Sequence, residues 1–362
     1  MTTPEQLQPE PPTVTQRHEA LRNPEPDFIY QAMGAGVQST AIAILAANGR
    51  IPKPKFAVFA DTGWEPKEVY DHLDNLEAKV LKPAGITLLR VGEGDIFNDS
   101  VDPHYNNVMP VYLRKASGDK AGVIQRGCTP AYKLAPIFRW LREELGASVK
   151  VVECRYCKGS GERDAPWLVR AGLTDTAWGV CSICRGTGSL KRVGTPPRGR
   201  WARSYVGFSS DEIQRVKPGR AAYEKAYYPL IDALDIPMSR TDCIQYLEAQ
   251  GWHGVSKSAC IGCPFRSNEE WRDIKAVPAE WEQAVRLDRA VRHLPLLEGV
   301  GYLHKDRIPL EEADIGGDDP ADADGDRPSC SPYGCRSEDG LEVPMEMILG
   351  DDLSDTLEET VR

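Results

Sequence analysis

The strongest constraint on the fold lies in the first 92 residues. Three short runs are apolar almost throughout: DFIYQAM ending at Met33, KFAVFADTG ending at Gly63 and ITLLRVG ending at Gly92. Strands covered on both faces read this way, whereas half-exposed strands alternate. Between them lie STAIAILAANG, with helical spacing and a Gly stop, and EPKEVYDHLDNLEAKVLKPAG, an amphipathic helix ending at Gly85. This β-α-β-α-β order predicts a doubly wound, mostly parallel α/β sheet. A chain of 362 residues, 41% of them hydrophobic, can bury one large domain of this kind with insertions.

Further along, CTPAYKLAPIFRWLREELG reads as a helix and ASVKVVEC as a strand. RWARSYVGFSSDEIQRVKP reads as strand then helix, and SRTDCIQYLEAQGW as a helix capped by Ser239 or Thr241. SNEEWRDIKAVPAEWEQAVRLDRAVRHL is helical, with a break near Pro278. The polar, Pro-rich start lacks the apolar core of a signal peptide, and no run reaches the ~18 residues of a membrane span. The expectation is a cytoplasmic protein with no membrane partner. Five segments follow. A disordered tail spans 1–26, and a nucleotide-binding domain spans 27–153. A zinc-knuckle insertion spans 154–190, and the rest of the α/β domain with a Cys-rich helical region spans 191–304. An acidic, largely disordered tail spans 305–362.

Net charge is −10, but it is unevenly spread. Residues 305–362 carry 18 acidic and 5 basic side chains, and residues 114–220 carry 21 basic and 9 acidic. A basic middle suits a polyanion such as a nucleotide or nucleic acid.

QAMGAGVQST joins the first strand to the first helix. A small-residue loop opening a helix cradles phosphate: backbone N–H groups approach the anion and the helix dipole favours it. The expected contacts are Gly34, Ala35, Gly36, Gln38, Ser39 and Thr40. The loop is neither a Walker A motif nor a full GxGxxG. Asp61, Thr62 and Gly63 end the second strand on the edge where open α/β sheets bind ligands.

Ten cysteines in a reducing compartment point to metal or redox chemistry rather than disulfides. CRYCKGSG and CSICRGTG are one module, CxxCxGxG, written twice. Two such knuckles supply Cys154, Cys157, Cys181 and Cys184, a closed four-thiolate zinc set with a structural role. The flank KRVGTPPRGRWAR offers Lys191, Arg192, Arg198, Arg200 and Arg203 to a nucleic-acid backbone and Trp201 for stacking. Cys128, Cys243, Cys260 and Cys263 form a second set, open between an iron–sulfur cluster, zinc and free thiols, with Cys243 the bystander if there is one. Cys330 and Cys335, in CSPYGC, are either an inert tail or carriers of sulfur or electrons. His104 and His253 stand near these stretches without metal-ligand spacing.

GAGVQST followed by VFADTGWEPKEVYDHL resembles the phosphoadenosine phosphosulfate (PAPS) reductase-like family, within the PP-loop, adenine nucleotide alpha-hydrolase group. RGCTPAYKLAPI, VGFSSDEIQR, YYPLID, TDCIQYLEAQGW and KSACIGCPFRSNEEWRDIK continue the resemblance over roughly residues 28–300, outside the insertion. That group's loop reads Ser-Gly-Gly-x-Asp-Ser. Gly36 and Ser39 match it, while Gly34, Ala35 and Gln38 depart from it. The knuckles resemble the zinc region of bacterial J-domain chaperones.

The resemblance implies an adenine nucleotide, ATP or PAPS, with magnesium, and a [4Fe–4S] cluster on the second cysteine set. It implies catalytic roles for Cys128, Cys260 and Cys263; Arg126, Lys133, Lys257 and Arg266, which adjoin the cysteine motifs, are the candidate charges for the phosphates. The leading expectation is nucleotide-dependent sulfur transfer to tRNA, DNA or a small molecule from a sulfur donor. PAPS reduction with a thioredoxin-like reductant is the second. A zinc-containing nucleic-acid-binding protein without catalysis is the third.

Overall fold

The computed structural model describes residues 25–317 except 101–108, 116, 124–126, 165, 167–168, 170–177, 218, 294–296 and 298. Both termini, with Cys330 and Cys335, lie outside the described residues, as do His104 and Arg126.

The opening follows the predicted order: β1 (Phe28–Met33), α1 (Val37–Ala47), β2 (Phe56–Asp61), α2 (Lys67–Leu76) and β3 (Thr87–Gly92). α2 continues through a π turn at Glu77–Leu81 and a last turn at Lys82–Ala84, and Gly85 then closes it in the left-handed conformation. A short antiparallel pair follows, β4 (Tyr112–Arg114) and β5 (Lys120–Val123). The next helix opens as a π turn at Thr129–Leu134 and becomes α3 (Ala135–Glu144). β6 (Val149–Glu153), β7 (Glu162–Asp164), β8 (Trp178–Val180) and β9 (Ser189–Val193) form two antiparallel pairs, β6 with β9 and β7 with β8. β10 (Ala202–Tyr205) and β11 (Glu224–Tyr227) return to the central sheet. α4 (Arg240–Ala249), α5 (Asn268–Ala276), α6 (Pro278–Ala290) and β12 (Val300–Tyr302), which pairs with β4, complete the described chain.

The central sheet has five parallel strands in the order β11-β10-β1-β2-β3. The chain builds outward from β1 to β3, then returns to add β10 on the other side of β1. The order reverses between β1 and β10. One face packs against α1, α2 and α4 through Ile42, Leu45, Leu73, Leu76 and Leu247. The other packs against α3 through Ile137, Phe138 and Leu141, with Trp140 edge-on to Tyr30 and Phe56. Each of these large side chains contributes about 1.5–3 kcal/mol by leaving water. Coverage of both faces explains why β1 and β2 are apolar almost throughout, Gln31 and Asp61 excepted.

Three expectations change, and one open alternative is settled. ASVKVVEC pairs with β9 and not with the central sheet, so the insertion begins at Val149 rather than Cys154. Residues 210–215 form a 3-10 turn rather than an α-helix. Residues 305–317, expected in the acidic, largely disordered tail, pack onto the domain, with Leu310 and Ile315 buried against α5 and α6. Ser239, not Thr241, caps α4, its hydroxyl accepting from the Asp242 N–H.

Candidate functional site

The loop Gly34-Ala35-Gly36 leaves β1 beside the point where strand order reverses. Ala35 has φ +59°, a left-handed conformation that a non-Gly residue rarely adopts. Ser39 Oγ accepts from the Gly36 N–H (3.1 Å), and Ser39 and Thr40 hydroxyls donate to the Gly36 carbonyl (3.0 and 2.9 Å). These two hydroxyls therefore shape the loop. The outward groups of the first turn are the N–H groups of Val37, Gln38 and Ser39, which no helical turn precedes. Gln38 Nε2 donates to Glu212 (3.2 Å), reaching across the switch point to the segment after β10. Gln31 on β1 and Tyr205 on β10 are register partners, and Gln31 Oε1 and the Tyr205 hydroxyl are both buried without a hydrogen-bond partner.

The DTGWE loop follows β2 on the same edge. Asp61 Oδ1 accepts from the Gly63 N–H and the Tyr70 hydroxyl, both at 2.8 Å. Thr62 donates to Glu65 Oε1 (3.1 Å) and lies 3.3 Å from Cys260 Sγ, which itself faces Glu65 Oε1 at 3.6 Å. Glu65 is 4% exposed and its Oε2 has no hydrogen-bond partner. Burial pushes the Cys260 thiol well above its ordinary value; the Glu65 charge adds to this, and Lys133 opposes it. The Ile261 N–H donates to the Trp64 carbonyl (3.0 Å), fastening the CIGC loop to DTGWE. Cys128, also buried, stands at the start of the Thr129–Leu134 turn, in the same hydrophobic cluster as Cys260.

The second cysteine set does not converge. Cys243 sits on α4 in the core on the α1 face, and burial raises its thiol to about 12. Its charged neighbours are Asp211, Asp242, Arg240 and Glu212, whereas those of Cys260 are Glu65 and Lys133. A four-thiolate iron–sulfur ligand set drawn from Cys128, Cys243, Cys260 and Cys263 does not fit this arrangement. Two candidate phosphate ligands are otherwise engaged. Arg266 is buried and donates to the carbonyls of Ala259, Cys260 and Ile261, and Lys257 pairs with Glu270 (3.2 Å). Lys133 is buried beside Cys260.

The four knuckle cysteines do converge. Their sulfurs lie within 4.8 Å of one another, and among the described residues no other His, Cys, Asp or Glu group of three or more is as close. Cys154 and Cys181 are 4.0 Å apart, Cys157 and Cys184 3.5 Å. The edge of a ZnS4 tetrahedron with bonds of about 2.3 Å is about 3.8 Å, so the donor set fits zinc.

The duplicated sequence is a duplicated structure. The Cys154 N–H donates to the Gly188 carbonyl and the Cys181 N–H to the Gly161 carbonyl, both at 2.8 Å. A Cβ on Gly161 would overlap the Gly186 backbone, and one on Gly188 the Gly159 backbone, so the two turns interlock only as glycines. Burial lifts Cys154 and takes Cys181 to about 12. At Cys157 burial is outweighed by the Gly161 N–H (3.3 Å) and the neighbouring thiols, which draw it to about 7.

Arg185 follows the last of these cysteines and leaves the ribbon for the sheet edge. Its guanidinium grips Asp99 with both terminal nitrogens (2.8 and 2.5 Å), and its Nε donates to the Glu93 carbonyl (2.6 Å). Asp99 is 1% exposed and also accepts from the Tyr132 hydroxyl.

The basic flank does not form one open face. Lys191 pairs with Glu143 and Arg200 with Asp27 (2.6 Å), while Trp201 is 6% exposed beneath the Lys225 ammonium (4.2 Å). Trp201 is therefore not available for stacking. Among the described residues of this arm, Trp178 is exposed at 58%, and the sequence reading did not single it out. Glu65 and Arg185 were missed as well. Glu65 stands inside the quoted DTGWE, and a lone Arg after a knuckle carries no signal of its socket.

No family model, curated protein or solved structure matches this chain. Among the described residues no helix is long and apolar enough to cross a membrane. The fold and sites define an α/β protein with a five-stranded parallel sheet and a four-cysteine group able to hold a metal such as zinc.

Proposed function

We propose that the chain is a nucleotide-dependent enzyme of sulfur chemistry, akin to the PAPS reductase-like branch of the PP-loop group. One observation carries this reading: the buried thiol of Cys260 is seated on the DTGWE loop, on the same strand-end edge as the glycine loop before α1. Ligands of open parallel sheets bind along that edge where strand order reverses.

In this reading the phosphates of an adenine nucleotide rest against Gly34, Ala35, Gly36 and the N–H groups of Val37, Gln38 and Ser39. The helix dipole and these donors stabilise charge as a substrate oxygen attacks the α-phosphate and pyrophosphate departs. A sulfur nucleophile held at Cys260 or the half-exposed Cys263 then forms the new bond to the substrate and displaces AMP. Magnesium would supply Lewis-acid help to the phosphates. Gln38 stands where the related loops carry a carboxylate, and Glu212, hydrogen-bonded to it, is the nearest acid.

Calorimetric titration of the full chain with ATP, ADP and PAPS tests the reading. ATP should bind in the micromolar range, and Gly36→Asp, which places a carboxylate in the cradle, should weaken it at least tenfold with unchanged circular dichroism. Selective binding of PAPS would transfer the assignment to sulfonate reduction. Failure to bind any of the three would overturn it.

A further inference from the structure

We infer that Arg185 is a positioning residue through which the four-cysteine metal site holds the thiol-bearing edge of the sheet. The inference goes beyond the nucleotide reading and stands without it; it rests only on the four-cysteine group holding a metal.

The orientation of Arg185 is made by the knuckle. Arg185 directly follows Cys184 and has φ +55°, and the turn is closed by Thr187, whose N–H and hydroxyl both donate to the Cys184 carbonyl (3.1 and 2.6 Å). Lys158 occupies the equivalent place in the first knuckle, with φ +50°, yet its side chain is exposed. Each knuckle thus presents a cationic prong in the same left-handed conformation, and only the second has a socket. The socket, in turn, is shaped for the prong. A Cβ on Gly94 would overlap the Arg185 guanidinium, so this position beside β3 must be glycine while the prong is seated.

From the socket two routes lead to the cysteines. Asp99 ends the turn Ile96–Asp99, whose first N–H, that of Ile96, donates to the Thr62 carbonyl (3.0 Å); the Thr62 hydroxyl lies 3.3 Å from Cys260. The Tyr132 hydroxyl, on the other side, donates to the same carboxylate from the π turn that begins after Cys128. A single buried carboxylate therefore joins the metal-bearing turn to both thiol-bearing loops.

Removing the metal leaves four thiols whose mutual geometry no longer fixes the Cys184–Thr187 turn. Withdrawal of the guanidinium then leaves Asp99 buried without its cation, an arrangement the fold escapes by opening the socket to water. The sheet edge loosens because the knuckle lets go. Coupling of this kind needs an element with two arrangements that both sites bias, and the seated and withdrawn prong supplies it.

Hydrogen–deuterium exchange on the zinc-loaded full chain tests this, with zinc confirmed by elemental analysis. In the wild type, a strong chelator should speed exchange at least tenfold in peptides covering 93–99 and 129–134, as well as in the ribbon, and added zinc should restore protection. Arg185→Ala keeps all four thiolates. It should bind zinc yet show fast exchange at 93–99 and 129–134 from the start, with no further change on chelation. Arg185→Lys, which cannot grip both carboxylate oxygens, should restore only part of the protection. Alkylation of Cys128, read by peptide mass spectrometry, should rise in step. If Arg185→Ala does not fold, Asp99→Asn reads the same link, with a smaller rise that chelation adds little to. Unchanged protection at 93–99 and 129–134 after zinc leaves the wild type would overturn the inference. So would an Arg185→Ala protein whose sheet edge still responds to chelation as the wild type does.

Discussion

Replacing Glu65 with Gln should make Cys260 easier to ionise. The thiol is held well above its ordinary value by burial first and by the Glu65 charge second. The substitution keeps an oxygen for Thr62 and Cys260 but removes the charge, 3.6 Å from Sγ. Two unit charges at that distance interact by about 4.6 kcal/mol at an effective dielectric of about 20, and by about 1.2 kcal/mol in bulk water. The pKa of Cys260 should therefore fall, and because the thiolate is the reactive form its alkylation at a given pH should speed up about threefold or more. The assay is iodoacetamide labelling from pH 6.5 to 10, with Cys260 quantified by peptide mass spectrometry. Lys133→Met is the opposing control: loss of the neighbouring cation should slow labelling. Equal or slower labelling of Cys260 in Glu65→Gln would refute the reasoning, since no charge would then lie beside the sulfur.

Arg185→Ala should cost about 3–5 kcal/mol in urea unfolding at pH 8, because Asp99 is left buried without a cation. Desolvation already raises the Asp99 pKa, so in the variant a proton neutralises it at accessible pH. The deficit should shrink by up to about 1.4 kcal/mol per unit as pH falls through that range; a deficit that stays flat would contradict the assignment. Zinc affinity should fall more than tenfold per unit between pH 7 and 6 in competition with a coloured chelator, as Cys157, drawn to about 7, joins Cys154 and Cys181, both raised by burial, in holding a proton. Ala35→Gly should be tolerated, whereas Ala35→Val should lose about 1–3 kcal/mol by thermal unfolding, since a β-branched residue resists φ +59°.

Local pattern carried the architecture where one element decides its own form. Continuous apolar strands, helical spacing and a glycine stop placed β1 to β3 and both intervening helices, and the repeated CxxCxGxG placed the four-cysteine group. What stayed hidden depends on long-range pairing. ASVKVVEC has good strand composition, but its partner is β9, and composition does not name a partner. Cys243 has the same side chain as Cys260; only the packing of α4 against α1 sends it to another core. Trp201 reads as a stacking residue in a basic flank, yet β10 and β11 fold Lys225 over it. Asp99 and Arg185 are 86 residues apart and carry no mark of each other.

The ribbon enters and leaves the domain through one doorway. Val149 stands opposite Val193, and the Gly194 N–H donates to the Ser148 carbonyl (2.9 Å). Everything between those positions is a detour whose removal would leave the order of the central strands untouched. Such an arm can be acquired or lost in a single evolutionary event, and a tight turn could replace it. The trace of its presence would be Asp99 and Gly94, a carboxylate and a gap in the host shaped for a visitor's arginine. A shortened chain would therefore need Asp99→Asn as a companion change, and natural chains lacking the ribbon are expected to carry a neutral side chain there.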